Sequence, residues 1–139
     1  MTTVALICVQ NAGRSQMATA YAERERDRRA LEDDVEIVSG GTDPADAVHD
    51  VVMEAMAEAG FDLGDRSPQS VSRATLESCD VVATMGCSTL ELEGGTDGPD
   101  VRDWALDDPH GQDLETVHEI RREVERKVVA LFDELEGSQ

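Results

Sequence analysis

The chain has 139 residues, 40% of them hydrophobic and 31% charged, a balance that predicts one folded domain over residues 1–139 and speaks against disorder. Its 31 acidic side chains face only 12 basic ones, for a formal charge of -19, which excludes the basic face that nucleic acid or an anionic membrane requires. The carboxylates are dispersed along the chain and Lys127 is its one lysine, a halophilic type of surface suited to molar salt.

Val4-Ala5-Leu6-Ile7 is an unbroken apolar run, as expected of a parallel strand covered on both faces. After the turn CVQNAGRSQ, residues 16 to about 30 carry Met17, Ala20 and Tyr21 at helical spacing. A second strand spans Val35 to Val38 and is closed by Ser39-Gly40-Gly41. Val48, Val51, Val52, Ala55, Met56 and Ala59 mark a second helix, with Gly60 where a C-terminal cap belongs. Residues 66–70 read as a loop, 71–77 as a short helix and 80–84 as a third strand. Gly94, Gly95, Gly98 and Pro99 place a surface loop at 91–100, ahead of an edge strand at 101–104. The last helix is the clearest element, with Val117, Ile120, Val124, Val128, Leu131, Phe132 and Leu135 on one stripe.

Strands alternating with helices predict an α/β fold with a parallel sheet and right-handed crossovers. The start of the chain has no basic leader or cleavage site, and no apolar run is long enough to span a bilayer, so a cytoplasmic location is expected. In that reducing compartment Cys8, Cys79 and Cys87 read as thiols, not as a disulfide framework.

The turn after the first strand carries the chemistry. A strand that ends in a glycine-containing turn and opens a helix aims several backbone N–H groups inward, and the helix dipole adds positive potential there. Val9, Gln10, Asn11, Ala12, Gly13 and Arg14 would form this anion cradle, with Cys8 as a nucleophile at its base. Arg14 can fork onto two oxygens of a tetrahedral anion, and Ser15 can donate a hydrogen bond to a Cys8 thiolate. The same residues also fit a packed strand-end cysteine beside a solvated arginine. The position between an apolar strand and a helix favours the cradle.

The run CVQNAGRSQMA resembles the active-site loop of the low-molecular-weight protein tyrosine phosphatase superfamily, in its arsenate reductase branch. SGGTDPADAVHDVVMEAMAEAGFDL from Ser39, VVATMGC ending at Cys87 and DWALDDP ending at Pro109 are similar to the same branch, in the same order. The resemblance implies a four-stranded parallel sheet, flavodoxin-like, of strand order 2-1-3-4 with helices on both faces. It makes Cys8 the nucleophile, Arg14 the oxyanion clamp, Ser15 the thiolate stabiliser, Asn11 the residue that shapes the loop and Asp108 the general acid. Cys8, Cys87 and Asp108 each follow a predicted strand, so a parallel sheet would bring all three to its C-terminal edge, where such folds bind ligands.

Two reactions can start from this set. A phosphatase hydrolyses the phosphoenzyme on Cys8 with water, whereas a reductase needs a second thiol to form a disulfide and release arsenite. Cys87 is placed for that second role, although a small buried strand-end cysteine is the competing reading. His110-Gly111 follow Pro109 and aromatics are only 3% of the chain, which fits a small inorganic oxyanion better than phosphotyrosine. The expectation is an arsenate reductase that forms a Cys8–Cys87 disulfide, needs no cofactor and is regenerated by a thioredoxin-like protein or a small thiol. A phosphatase is the first alternative and a non-catalytic oxyanion sensor the second.

Relatives of this kind often carry a further cysteine after the resolving one, whereas Ser88, Thr89, Leu90 and Glu91 stand here. Cys79 is a possible third relay member, or a packed core thiol. A monovalent cation near Asn11, Ser39 and Asp62 is a further possibility, although Thr19 stands where the family has an acidic ligand. The scattered His49, His110 and His118 have no zinc-like spacing and read as surface residues.

Overall fold

A computed structural model of the chain describes residues 2–8, 11–41, 43–64, 66–85, 100–104, 106 and 111–137. In chain order the elements are β1 (Thr2–Cys8), α1 (Arg14–Arg28), β2 (Val35–Gly41), α2 (Asp50–Glu58), α3 (Arg73–Glu77), β3 (Val81–Thr84), β4 (Asp100–Asp103) and α4 (Leu114–Gly137). The four strands form one parallel sheet in the order β2-β1-β3-β4, the winding that the sequence implied. Val4 sets the register, opposite Ile37 on one side and Val81 on the other.

The strand period of two sorts the side chains of the central strands between two apolar clusters. Val4, Leu6 and Cys8 of β1, with Val81 and Ala83 of β3, pack into the larger cluster. Met17 and Tyr21 of α1, Val52 and Met56 of α2, and Val124, Val128 and Phe132 of α4 complete it. Ala5, Ile7 and Val82 belong to the other cluster, closed by Leu76 of α3 and by Cys79. Helices therefore cover both faces, unequally. Trp104 follows the edge strand and packs into the larger cluster with Val117 and Ile120 of α4.

Several boundaries differ from the periodicity, each for a local reason. Helix α1 begins at Arg14, two residues before the expected start, because the polar first turn faces the loop and so carries no apolar signal. Strand β2 runs on through Ser39, Gly40 and Gly41, which pair with Leu6, Ile7 and Cys8. A Cβ on Gly40 would lie 2.7 Å from the Val71 Cβ, so only glycine lets the following segment cross there. Gly41 also bridges Ser70. Helix α3 starts at Arg73 because Ser72 caps it, its Oγ accepting the Thr75 N–H at 3.1 Å. Gly60, at φ 93°, takes the left-handed conformation that ends α2.

Of the expected loop at 91–100, residues 91–99 lie outside the described residues, and Asp100 instead opens β4. Among the described residues no helix is long and apolar enough to cross a membrane.

Candidate active site

Strand β1 delivers Cys8 to the C-terminal edge of the sheet, where the side chain is buried at 3% exposure. Asn11 follows in the left-handed region at φ 51°, a conformation that Asn tolerates far better than branched residues do. Its backbone N–H donates to the Cys8 sulfur at 3.1 Å. Ser15, fully buried in the first turn of α1, places its Oγ 2.9 Å from the same sulfur.

The direction of the second contact follows from the donors. Asn11 Nδ2 donates to Ser15 Oγ at 2.7 Å, so that oxygen already accepts one hydrogen bond. An ionised Cys8 offers only lone pairs, and the hydroxyl proton is then the one that points to sulfur. Gly13 precedes α1 without a side-chain cap, and no acidic residue occupies the first turn. The positive end of the α1 dipole thus faces the loop unopposed from within the helix.

Asn11 is the hub of this arrangement. Its second Nδ2 hydrogen reaches Ser39 Oγ at 3.0 Å, linking the loop to β2. Its Oδ1 accepts the backbone N–H of Gln69 at 3.0 Å and Gln16 Nε2 at 3.1 Å, while Gln16 Nε2 also reaches the Asn11 carbonyl at 3.0 Å. Gln69 Nε2 completes the ring on Ser39 O at 2.6 Å. Ala12, fully buried, accepts the His49 N–H at 2.9 Å through its carbonyl. Reading the sequence assigned no role to Gln16 and did not single out Gln69. Gln16 carries a usable signal, being a polar residue on the first helical turn next to the loop; Gln69, 58 positions from Asn11, carries none.

Arg14 is arranged differently from the simple expectation of a free fork. Its Nη1 donates to two backbone carbonyls, those of Met85 and Leu106, the second at 2.9 Å. No partner for Nε or Nη2 is found among the described residues, so that edge of the guanidinium keeps a bidentate geometry for an anion.

One expectation changes. Cys79 does not fit a redox relay: Asp80 N bonds to Thr3 O at 2.9 Å, so Cys79 adjoins the N-terminal end of β1. Five residues separate Thr3 from Cys8, about 16 Å of strand. It also belongs to the opposite apolar cluster from Cys8, and its S–H donates to Thr75 O at 3.2 Å. Burial, with help from Asp80 and Glu36, pushes its thiol pKa up and away from the reactive thiolate. Of the residues named for a monovalent cation, two are in direct contact. Asn11 and Ser39 meet, but the Asn11 amide is occupied as described, Thr19 Oγ1 donates to Ser15 O, and Asp62 Oδ1 accepts Gly64 N. No described contact joins Asp62 to the other two. Val9, Gln10, Cys87 and Asp108 lie outside the described residues.

Comparison with known proteins agrees with this architecture. Residues 3–93 match the low molecular weight phosphotyrosine protein phosphatase family. A protein of Halobacterium salinarum, provisionally named an arsenate reductase, is 65% identical over 133 residues, covering 96% of this chain and 92% of its own. The solved structure of an arsenate reductase in a phosphate-binding state superposes with a TM-score of 0.81 at 26% identity, covering 96% of this chain and 98% of that one. The thioredoxin-dependent arsenate reductase of Corynebacterium glutamicum gives 0.80 at 31% identity, covering all of this chain and 64% of that one. The chain belongs to the low-molecular-weight phosphotyrosine protein phosphatase family, and within it to the arsenate reductase branch.

Proposed function

We propose that this protein reduces arsenate to arsenite, with Cys8 as nucleophile and Cys87 as the thiol that resolves the intermediate. The observation that carries the reading is the buried Cys8 sulfur beneath the α1 N-terminus, contacted by the Asn11 N–H at 3.1 Å and by Ser15 Oγ at 2.9 Å. Each contact stabilises negative charge on sulfur, and the same N-terminus attracts an oxyanion. Kinship with the arsenate reductases favours arsenate over a phosphomonoester.

In the first step the Cys8 thiolate attacks arsenic, forming an S–As bond. One oxygen leaves as water, with Asp108 supplying the proton. Arg14 and the loop amides hold the remaining oxygens. The Cys87 thiolate then attacks Cys8 sulfur; the S–S bond forms, the S–As bond breaks, and its electron pair reduces As(V) to As(III) as arsenite departs. The Cys8–Cys87 disulfide is returned to two thiols by an external dithiol. A thioredoxin-like protein is the donor favoured by the Corynebacterium relative.

The test sets arsenate-dependent thiol oxidation beside aryl phosphate hydrolysis, in wild type and Cys87→Ser, at molar salt with a thioredoxin system. Reductase activity is expected to vanish in the variant while any hydrolysis persists. Unchanged arsenate reduction would remove Cys87 from the mechanism, and hydrolysis without arsenate turnover in wild type would make the protein a phosphatase. Absence of both from Cys8-intact, folded protein would leave an oxyanion sensor.

A further inference from the structure

Gln16, in the first turn of α1, reaches back to the loop that precedes the helix. Its side chain is buried at 3% exposure, and Nε2 directs both hydrogens at one residue, the Asn11 carbonyl at 3.0 Å and Asn11 Oδ1 at 3.1 Å. A backbone carbonyl only accepts, so the NH2 end of the Gln16 amide must face it. That carbonyl lies ahead of the helical ladder, whose bond from the Met17 N–H goes to the Gly13 carbonyl at 3.0 Å. The Ala12 carbonyl, next along, accepts the His49 N–H at 2.9 Å. Two consecutive carbonyls are thus held by donors from outside the loop, one a side chain and the other backbone.

A trans peptide group is planar, and its N–H points opposite to its C=O. Holding the Asn11 carbonyl therefore aims the Ala12 N–H away from Gln16, and holding the Ala12 carbonyl aims the Gly13 N–H away from His49. Neither N–H has a partner among the described residues, although Ala12 is fully buried. A buried donor left unpaired is costly, and a bound anion removes that cost. We propose that Gln16 is a positioning residue of the oxyanion site: by holding the Asn11 carbonyl, it turns the Ala12 N–H toward a tetrahedral anion seated over Cys8. Gln69 does not duplicate this role, because its N–H reaches Asn11 Oδ1 and leaves the carbonyl to Gln16. The inference rests on the proposed oxyanion chemistry at Cys8.

Inorganic phosphate, tetrahedral and anionic like arsenate, is the probe, at molar potassium chloride. Isotopically labelled wild type and Gln16→Met, both checked for fold by circular dichroism, are titrated with it while the amide resonances of Ala12 and Gly13 are followed. Both resonances should move downfield in wild type. In Gln16→Met, close in volume but without a donor, the Ala12 response should be lost and the Gly13 response kept, since a backbone donor holds the Ala12 carbonyl. A side chain that only filled space would not separate the two. In parallel, the phosphate concentration that half-protects Cys8 from iodoacetamide should rise about fivefold or more in the variant. Half-protection within twofold of wild type, or a wild-type Ala12 resonance that ignores phosphate while Cys8 is protected, overturns the positioning role. Failure of phosphate to protect Cys8 in wild type would instead remove the oxyanion site, and the proposed function with it. Should Gln16→Met not fold, Gln16→Glu, whose carboxylate has no proton to donate at neutral pH, takes the same contrast between Ala12 and Gly13.

Discussion

The backbone N–H of Asn11 donates to the sulfur of Cys8 across 3.1 Å, while Asn11 itself turns the chain toward α1 at φ 51°. A positive φ of this kind suits asparagine and glycine and strains other side chains. The conformation is secured from three sides, by Gln16, by Gln69 and by Ser39. The nucleophile is thus placed by a polar residue that need not touch substrate.

Asn11→Gly and Asn11→Ala separate the backbone from the amide. Both lose the side-chain bonds, but only alanine strains at positive φ, an added cost of about 1–2 kcal/mol. Denaturant unfolding should rank wild type above Gly and Gly above Ala, and alkylation of Cys8 by iodoacetamide should slow in the same order. Equal values for the two variants would show that positive φ at position 11 carries no strain and that the lost amide bonds account for the whole effect.

Ser15→Ala removes the hydroxyl that lies 2.9 Å from the sulfur. A hydrogen bond to a charged group is worth about 1.5–3 kcal/mol, so arsenate turnover should fall by about tenfold or more. A loss below twofold would mean that the Asn11 N–H and the helix dipole suffice.

Gly40→Ala tests the crossing of the 66–72 segment over β2. The new methyl would sit 2.7 Å from Val71 Cβ, a contact that side-chain rotation cannot relieve. A destabilisation of about 1–3 kcal/mol is expected in urea unfolding. Since Gln69 lies on the same segment and bonds Asn11, arsenate turnover should fall too. Stability lost with turnover intact would uncouple Gln69 from the loop.

Cys79 makes a prediction in pH. Its folded thiol pKa is raised, first by burial and then by Asp80 and Glu36, so the native state holds the proton longer than the unfolded chain does. Stability from this group is complete below the unfolded pKa of about 8.5 and is lost as pH rises from there through the folded value. Cys79→Val should flatten the fall in thermal midpoint between about pH 8.5 and 9.5, below the ordinary range of Tyr21. It should leave arsenate reduction unchanged, since Cys79 lies at the far end of the sheet from Cys8. A loss of reductase activity in a folded Cys79→Val would restore the relay.

Salt should stabilise this fold. Attractive pairs such as Arg29 with Asp133 and Arg24 with Glu125 are screened by added salt, which weakens them. Repulsion is screened as well, and with 31 acidic against 12 basic residues it is the larger sum. Raising potassium chloride from about 0.1 to about 1 M should lift the thermal midpoint by about 5 °C or more, on the scale of 1–2 kcal/mol for a chain of this size. A falling midpoint would mean that the ion pairs dominate.

How much was legible follows from distance along the chain. Cys8, Asn11, Ser15 and Gln16 lie within nine consecutive positions, and a strand, a tight turn and a helix leave them few ways to meet, so the sulfur, its hydroxyl partner and the anion-attracting N-terminus could be read from CVQNAGRSQ alone. The sheet order was legible through resemblance, and the strands and helices through apolar spacing. Contacts between Asn11 and Gln69, between Arg14 and the carbonyls of Met85 and Leu106, and the exile of Cys79 to the far end of the sheet depend on parallel register. One pairing, Val4 opposite Val81, decides that Cys79 and Cys8 stand at opposite ends, and no local pattern encodes it. Backbone carbonyls carry no residue identity, so the anchoring of Arg14 is invisible in any string of letters. Tertiary structure alone decided that the arginine of the turn also bonds the carbonyls of Met85 and Leu106.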